Sequence, residues 1–135
     1  MNNNGIALEA AMVAALEAVE GLADRVCPVV DIHKSTGPLV VYDQRKESEE
    51  RDMTGPVGLM YAQFEIHVLH STYIKMRQLS EDVKAALKRL QGVNKAPLLI
   101  EAVEVEQITP DIREEKVGLF RRTYTVNFYC QIKEE

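Results

Sequence analysis

The chain has no tryptophan and only two cysteines in 135 residues. Cys27 and Cys130 are far apart, and neither has a Cys or His beside it at zinc-ligand spacing, so a metal site is not expected and both thiols read as free and buried. No apolar run approaches the ~20 residues that a bilayer-spanning helix needs. The Ala-rich stretch from Ala10 to Leu16 lies between Glu9 and Glu17, and Met1-Asn2-Asn3-Asn4-Gly5 carries no base, a pattern unlike a signal peptide. The expectation is a soluble chain made in a reducing cytoplasm, with no membrane partner.

Positive charge is outnumbered. Sixteen Lys and Arg stand against 21 Asp and Glu, for a formal net charge of −5. Sequence-independent binding to DNA or RNA relies on Lys and Arg releasing condensed counterions, so this balance disfavours it. The same acidity suits a channel through which DNA slides without sticking. A nucleic-acid module would need a basic stripe, but Lys75, Arg77, Lys84, Lys88 and Arg89 are diluted by Glu81 and Asp82. Nucleophile elbows, phosphate-cradling glycine loops, His-Glu-x-x-His and Gly-x-Gly-x-x-Gly runs are all missing from the sequence.

What the chain does have is an ordered alternation of helical and extended patterns. Hydrophobic residues make up 46% and charged residues 27%, ordinary for a globular chain of single-domain length, and residues 1–135 are read as one domain. Leu8, Met12, Ala15, Val19, Leu22 and Val26 recur on one helical face, which predicts a helix over residues 6–26 ended by Pro28. The Ser35-Thr36-Gly37-Pro38 turn precedes an unbroken apolar run, Leu39-Val40-Val41-Tyr42, and predicts a strand over about 39–44. Ala62, Phe64, Ile66 and Val68 alternate with Gln63, Glu65 and His67, predicting a half-wet strand over about 59–69.

Ser71 or Thr72 then offers a cap for a helix over 72–91, with Met76, Leu79, Val83, Ala86, Leu87 and Leu90 on one stripe and Gly92 as the left-handed residue beyond its end. A third strand covers about 98–108, and its alternation slips between Ile100 and Val103 as a bulge would make it slip. The last, over about 118–132, places Phe120, Tyr124, Val126, Phe128, Cys130 and Ile132 on one face, with Arg122 alone breaking that pattern. These elements predict an α+β fold: a four-stranded antiparallel or mixed sheet with two helices packed on one face and long charged hairpin loops.

Two charged segments interrupt the pattern. Residues 43–56 hold five acids and three bases without any core-forming period, and Arg113-Glu114-Glu115-Lys116 forms a second charged tip. Such charges add only ~0–1 kcal/mol per exposed pair to their own fold, yet they select partners by complementarity. Partner contact and simple solvation both account for them. His67 and His70 are three apart on a strand, so their rings diverge, and His33 beside Asp31 reads as a solvent pair. An enzyme or ligand-binding domain is the competing reading, and would show a cavity on which His67, Tyr61 and Tyr124 converge.

Taken in order, a leading helix, a turn ending in Pro38-Leu39-Val40-Val41-Tyr42, a long loop, the strand Ala62 to Val68 closing in Ser71-Thr72, a helix, and a strand pair ending in Arg122-Thr123-Tyr124-Thr125-Val126 resemble the tail completion, or tail terminator, proteins of long-tailed bacteriophages. The likeness spans nearly the whole chain. It implies a ring, usually of six copies, that ends the tail tube and meets the head connector, with no catalytic residue and no cofactor. Its partners would be other copies of itself, the tube protein and the connector protein, with DNA met only as it passes through the lumen. The protein would be found at the tail–neck junction of the virion, and in the host bacterial cytoplasm during assembly. Under that resemblance Arg45, Lys46, Glu49, Glu50, Arg51 and Asp52, with Arg113, Glu114, Glu115 and Lys116, are the candidate subunit or tube contacts.

Overall fold

The computed structural model describes residues 4–28, 37–51, 57–95 and 97–133. The amino-terminal helix α1 runs from Asn4 to Glu17 and buries Leu8, Ala11, Met12 and Leu16. It stops well before Pro28. The chain instead leaves the helix through four-residue turns, with Leu22 N–H donating to the Val19 carbonyl and Arg25 N–H to that of Leu22. Gly21 at φ 89° and Asp24 at φ 60° supply left-handed conformations that a continuing helix forbids. Leu22 is nevertheless fully buried, because the turns return it to the core.

Strand β1 (Val26–Pro28) pairs in parallel with Val40–Tyr42 of β2 (Leu39–Arg51). β2 then pairs antiparallel with β3 (Val57–His70) along its whole length, from Leu39 opposite Leu69 to Arg51 opposite Gly58, with a bulge at Arg45. The predicted charged loop is therefore strand as far as Arg51. Charged side chains do not oppose an edge strand when its backbone is paired on one side and the charges reach water, and they discourage unwanted pairing on the other.

Helix α2 (Tyr73–Lys88) is capped by Thr72, whose hydroxyl accepts from Lys75 N–H at 3.2 Å. Gly92 follows at φ 88°, the left-handed residue expected after the helix, and its N–H donates to the Ile100 carbonyl at 2.7 Å. The short β4 (Asn94–Lys95) pairs with β5 (Leu98–Gln107). β5 pairs antiparallel with β7 (Leu119–Lys133), its register slipping between Ile100 and Ala102, where the alternation had pointed to a bulge. β6 (Ile112–Glu114) continues beside β7 along the same edge that β5 occupies.

Among the described residues the sheet thus has seven strands, in the order β1-β2-β3-β7-β5-β4 with β6 on β7. The four-stranded expectation is corrected by β1, β4 and β6, each of two or three residues, too short to carry an alternation that sequence could register. β3 and β7 are the central pair. Met60, Ala62, Phe64, Ile66 and Val68 of β3, with Tyr124, Val126, Phe128, Cys130 and Ile132 of β7, form one buried cluster with Leu8, Met12 and Leu16 of α1 and Leu79, Val83 and Leu87 of α2. Phe64 sits at its centre, edge-on to Tyr42 at 6.3 Å and to Phe128 at 5.9 Å. A smaller cluster of Leu39, Val41, Leu69 and Leu119 closes one end of the opposite face. Most of that opposite face is polar, and the site lies there and along the sheet edges.

Candidate functional site

β1 covers the outer edge of β2 only at Val40–Tyr42. Beyond it, from Asp43 to Arg51, β2 is paired on one side alone among the described residues, by β3. Bulging at Arg45 lets its guanidinium reach two carboxylates at once, Asp43 Oδ2 at 2.7 Å and Glu65 Oε2 at 3.1 Å. Glu47 and Glu49 face the other way, toward the first turn of α1: Asn4 Nδ2 donates to Glu49 Oε1 at 3.3 Å, and a Cβ on Gly5 would overlap the Glu47 carboxylate. Carboxylates there complement the positive end of the helix dipole.

The candidate contact residues therefore divide. Arg45 and Glu49 are engaged within the fold, while Lys46 and Glu50 are exposed on the edge strand. Arg51 ends β2, and Asp52 lies outside the described residues. At the opposite end of the sheet Arg113 and Glu114 belong to β6, and Glu115 and Lys116 form the exposed turn into β7. Glu114 accepts from Arg121 Nη1 at 2.8 Å, and its carbonyl closes the turn by accepting from Gly118 N–H at 2.8 Å. The two charged segments stand at opposite ends of the sheet.

Between them the outer face of β3 and β7 carries a polar ladder. Tyr61 OH donates to Asn127 Oδ1 at 2.8 Å, and Gln63 Nε2 donates to the same oxygen at 3.0 Å. His67 Nδ1 lies 2.9 Å from Thr123 Oγ1 and its Nε2 lies 3.7 Å from Glu65 Oε1. Burial, aided by the Arg121 charge, holds its pKa below the usual histidine value despite Glu65. His70 has a different partner, accepting from Ser71 N–H at its Nδ1.

His67, Tyr61 and Tyr124 do not converge. Tyr124 lies in the core on the helix side, donating its hydroxyl to the Ser80 carbonyl at 3.3 Å, and Tyr61 and His67 are six positions apart along β3 on the other face. Among the described residues a depression of about 290 Å³ instead lies on the outer face, toward the Arg51 end of β2, and its lining includes Leu59, Tyr61, Tyr129, Glu50 and Glu101.

One arrangement escapes sequence reasoning. Arg122, which breaks the inner pattern of β7, is only 7% exposed and is held bidentately by Asp111, from the Ile108–Asp111 excursion between β5 and β6. Glu81 of α2 lies 3.7 Å from its Nη1. The lone charge in an otherwise apolar alternation was the available signal; its partner, eleven residues upstream, lies outside any periodic pattern.

No protein-family model matches the chain, and no curated protein matches it in sequence. A solved structure does share its fold. One chain of the virion of a native gene transfer agent (GTA) particle superposes with a TM-score of 0.62, covering 94% of this chain and 96% of that one at 18% sequence identity. Likeness at that identity establishes the architecture, over nearly the full length of both chains.

Proposed function

We propose that this protein is a structural subunit of a phage-like particle, and that it closes into a ring, six copies in the first instance, on the end of a tail tube facing the head connector. The near full-length likeness to a chain of a GTA virion carries the coarser part of this reading. The finer part, ring formation and tail termination, rests on the element order and on the distribution of surfaces along the sheet.

A closed ring with unlike faces needs two different patches on each subunit, so that each copy meets the next through a heterologous contact. This sheet offers such patches. The one-sided edge of β2 from Asp43 to Arg51 presents backbone groups able to pair with a neighbour, and the β6–β7 turn with Glu115 and Lys116 projects at the far end. The charge pattern along β2 restricts which partner and which register can pair there. An acidic subunit also suits a lumen through which DNA passes, since it does not grip the phosphate backbone.

Labelling the protein in purified particles tests the reading. Label at one site per tail, at the head-proximal end, is the expected result; label along the whole tube, or absent from particles and confined to the cytosol, would rule it out. Arg45→Glu is expected to impair attachment while leaving the fold intact, because its ion pairs are solvent-exposed and such pairs add little to stability.

A further inference from the structure

The depression on the outer face has a specific chemistry. Two tyrosine rings form part of its wall, Tyr61 and Tyr129, with centroids 5.2 Å apart and planes tilted by 44°. Glu50 and Glu101 contribute carboxylates from either side, one on edge strand β2 and the other at the bulge in β5. Among the described residues neither has an ion-pair partner. Glu104 adds a third negative charge by accepting from Tyr129 OH at 3.0 Å. Among the described side chains, the next cation along this face of β2 is Lys46, opposite Gln63 and one pleat from Ser48.

Aromatic faces backed by carboxylates attract a cation, through the ring quadrupole and by direct charge. The volume decides what kind. At about 290 Å³ the depression lies at the bottom of the ~300–1,000 Å³ range of small-molecule sites, so it suits one side chain rather than a cofactor or metabolite. Leu59, 54% exposed, and Tyr129, 41% exposed, leave apolar surface at its mouth for the stem of such a side chain to cover.

A cation of matching presentation stands at the other end of the same sheet. Lys116 is exposed in the β6–β7 turn and makes no ion pair among the described residues. β3 runs eleven residues from Leu59 to His70, which is roughly 36 Å of strand, so no copy can place its own Lys116 in its own depression.

We infer that the depression between Tyr61 and Tyr129 receives the Lys116 side chain of a second copy of this chain, its ammonium paired with Glu50 and Glu101. The inference rests on the reading that copies meet through unlike patches. It adds the residues that recognise one another and the chemistry they use. A head-to-tail series leaves one unfilled depression and one free lysine until the series closes, which favours a ring over an open filament once the curvature permits it.

Carbodiimide coupling tests this, because it forms an amide only between an amine and a carboxylate in contact. Full-length protein labelled with nitrogen-15 is mixed with unlabelled protein at high concentration and low salt, coupled, digested and analysed by mass spectrometry. The expected product is a mixed-isotope peptide joining Lys116 to Glu50 or Glu101, within a ladder that extends beyond dimer. Tyr129→Ala is expected to reduce its yield by about two- to fivefold, the weight of an exposed cation–ring contact, under conditions where urea denaturation shows the variant fully folded.

Coupling of Lys116 to other carboxylates at equal yield, no mixed-isotope product at Glu50 or Glu101, or indifference to Tyr129→Ala would overturn the inference. If that happened while labelled particles still carried the protein at the tail end, the ring reading would survive. A Lys116–Glu50 or Lys116–Glu101 product in a ladder that stops at dimer would instead uphold the contact and remove the ring.

Discussion

Arg122 holds Asp111 through two parallel hydrogen bonds, Nε to Oδ1 and Nη2 to Oδ2, each 2.8 Å long. The pair fastens the Ile108–Asp111 excursion to β7 at the point where neither β5 nor β6 pairs with that strand. It thereby sets where β6 begins and where the Lys116 turn projects. Asp111→Asn takes the charge and one of the two acceptor oxygens away from a largely buried guanidinium, whose other carboxylate, Glu81, lies 3.7 Å away, and is expected to cost about 1.5–3 kcal/mol. Arg122→Met removes both charge and demand, and is expected to cost less. Urea denaturation of the two variants checks the order; the reverse order would show that the pair does not act as a clamp.

The same pair adds an acid-sensitive component to stability. Hydrogen bonding to Arg122 lowers the Asp111 pKa in the folded chain, with the Arg122 charge assisting against burial. A depressed carboxylate pKa stabilises the fold above the unfolded value near 3.9, and that contribution disappears as pH falls through the folded value. His67 acts in a higher window. Its lowered pKa means the folded state favours the neutral ring, so stability is full above about pH 6.5 and declines as pH drops from there toward the folded value. His67→Gln is expected to reduce the slope of the urea midpoint between pH 7.5 and 5.5, the remainder coming from His70, whose pKa burial also lowers, and an unchanged slope would remove His67 as a source.

Phe64 and Leu59 are five residues apart on β3 and face opposite ways. Phe64 is fully buried between Tyr42 and Phe128, and Phe64→Ala is expected to cost about 3–5 kcal/mol from lost burial and the cavity left behind. Leu59→Ala, at a side chain 54% exposed, is expected to stay within about 0.5 kcal/mol. Equal costs in urea titrations would contradict the assignment of the two faces.

The thiols are expected to separate by reactivity. Cys130 is buried in the core and burial pushes its pKa up to about 11, so it holds almost no thiolate near neutrality. Cys27, on the short β1, is only half-buried. A colourimetric thiol reagent at pH 8 is expected to modify Cys27 first and Cys130 only after denaturant is added. Simultaneous modification under native conditions would mean that β7 opens far more readily than its central position implies.

Several of these relationships were legible in the sequence because they depend on local period. The alternation from Ala62 to Val68 and from Tyr124 to Ile132 placed each residue on its correct face, the stripe from Met76 to Leu90 with Thr72 and Gly92 bracketed α2, and the slip after Ile100 located the bulge. Periodicity survives folding wherever an element has one buried face, since burying one set of side chains is what stabilises it.

What tertiary structure alone decided concerns pairing over distance. The charged run from Asp43 to Arg51 has no strand-like pattern of its own, and becomes strand because β3, already held by β7, supplies a template. α1 ends at Glu17 rather than at Pro28 because turns at Gly21 and Asp24 bring Val26 to the edge of β2. Asp111 and Arg122 meet because two strand segments share one edge of β7, and the tyrosine-walled depression exists because β2, β3, β7 and the β5 bulge come side by side. Composition and period assign each residue an environment, whereas its neighbours across strands are set by the free energy of the whole sheet, which no local window contains.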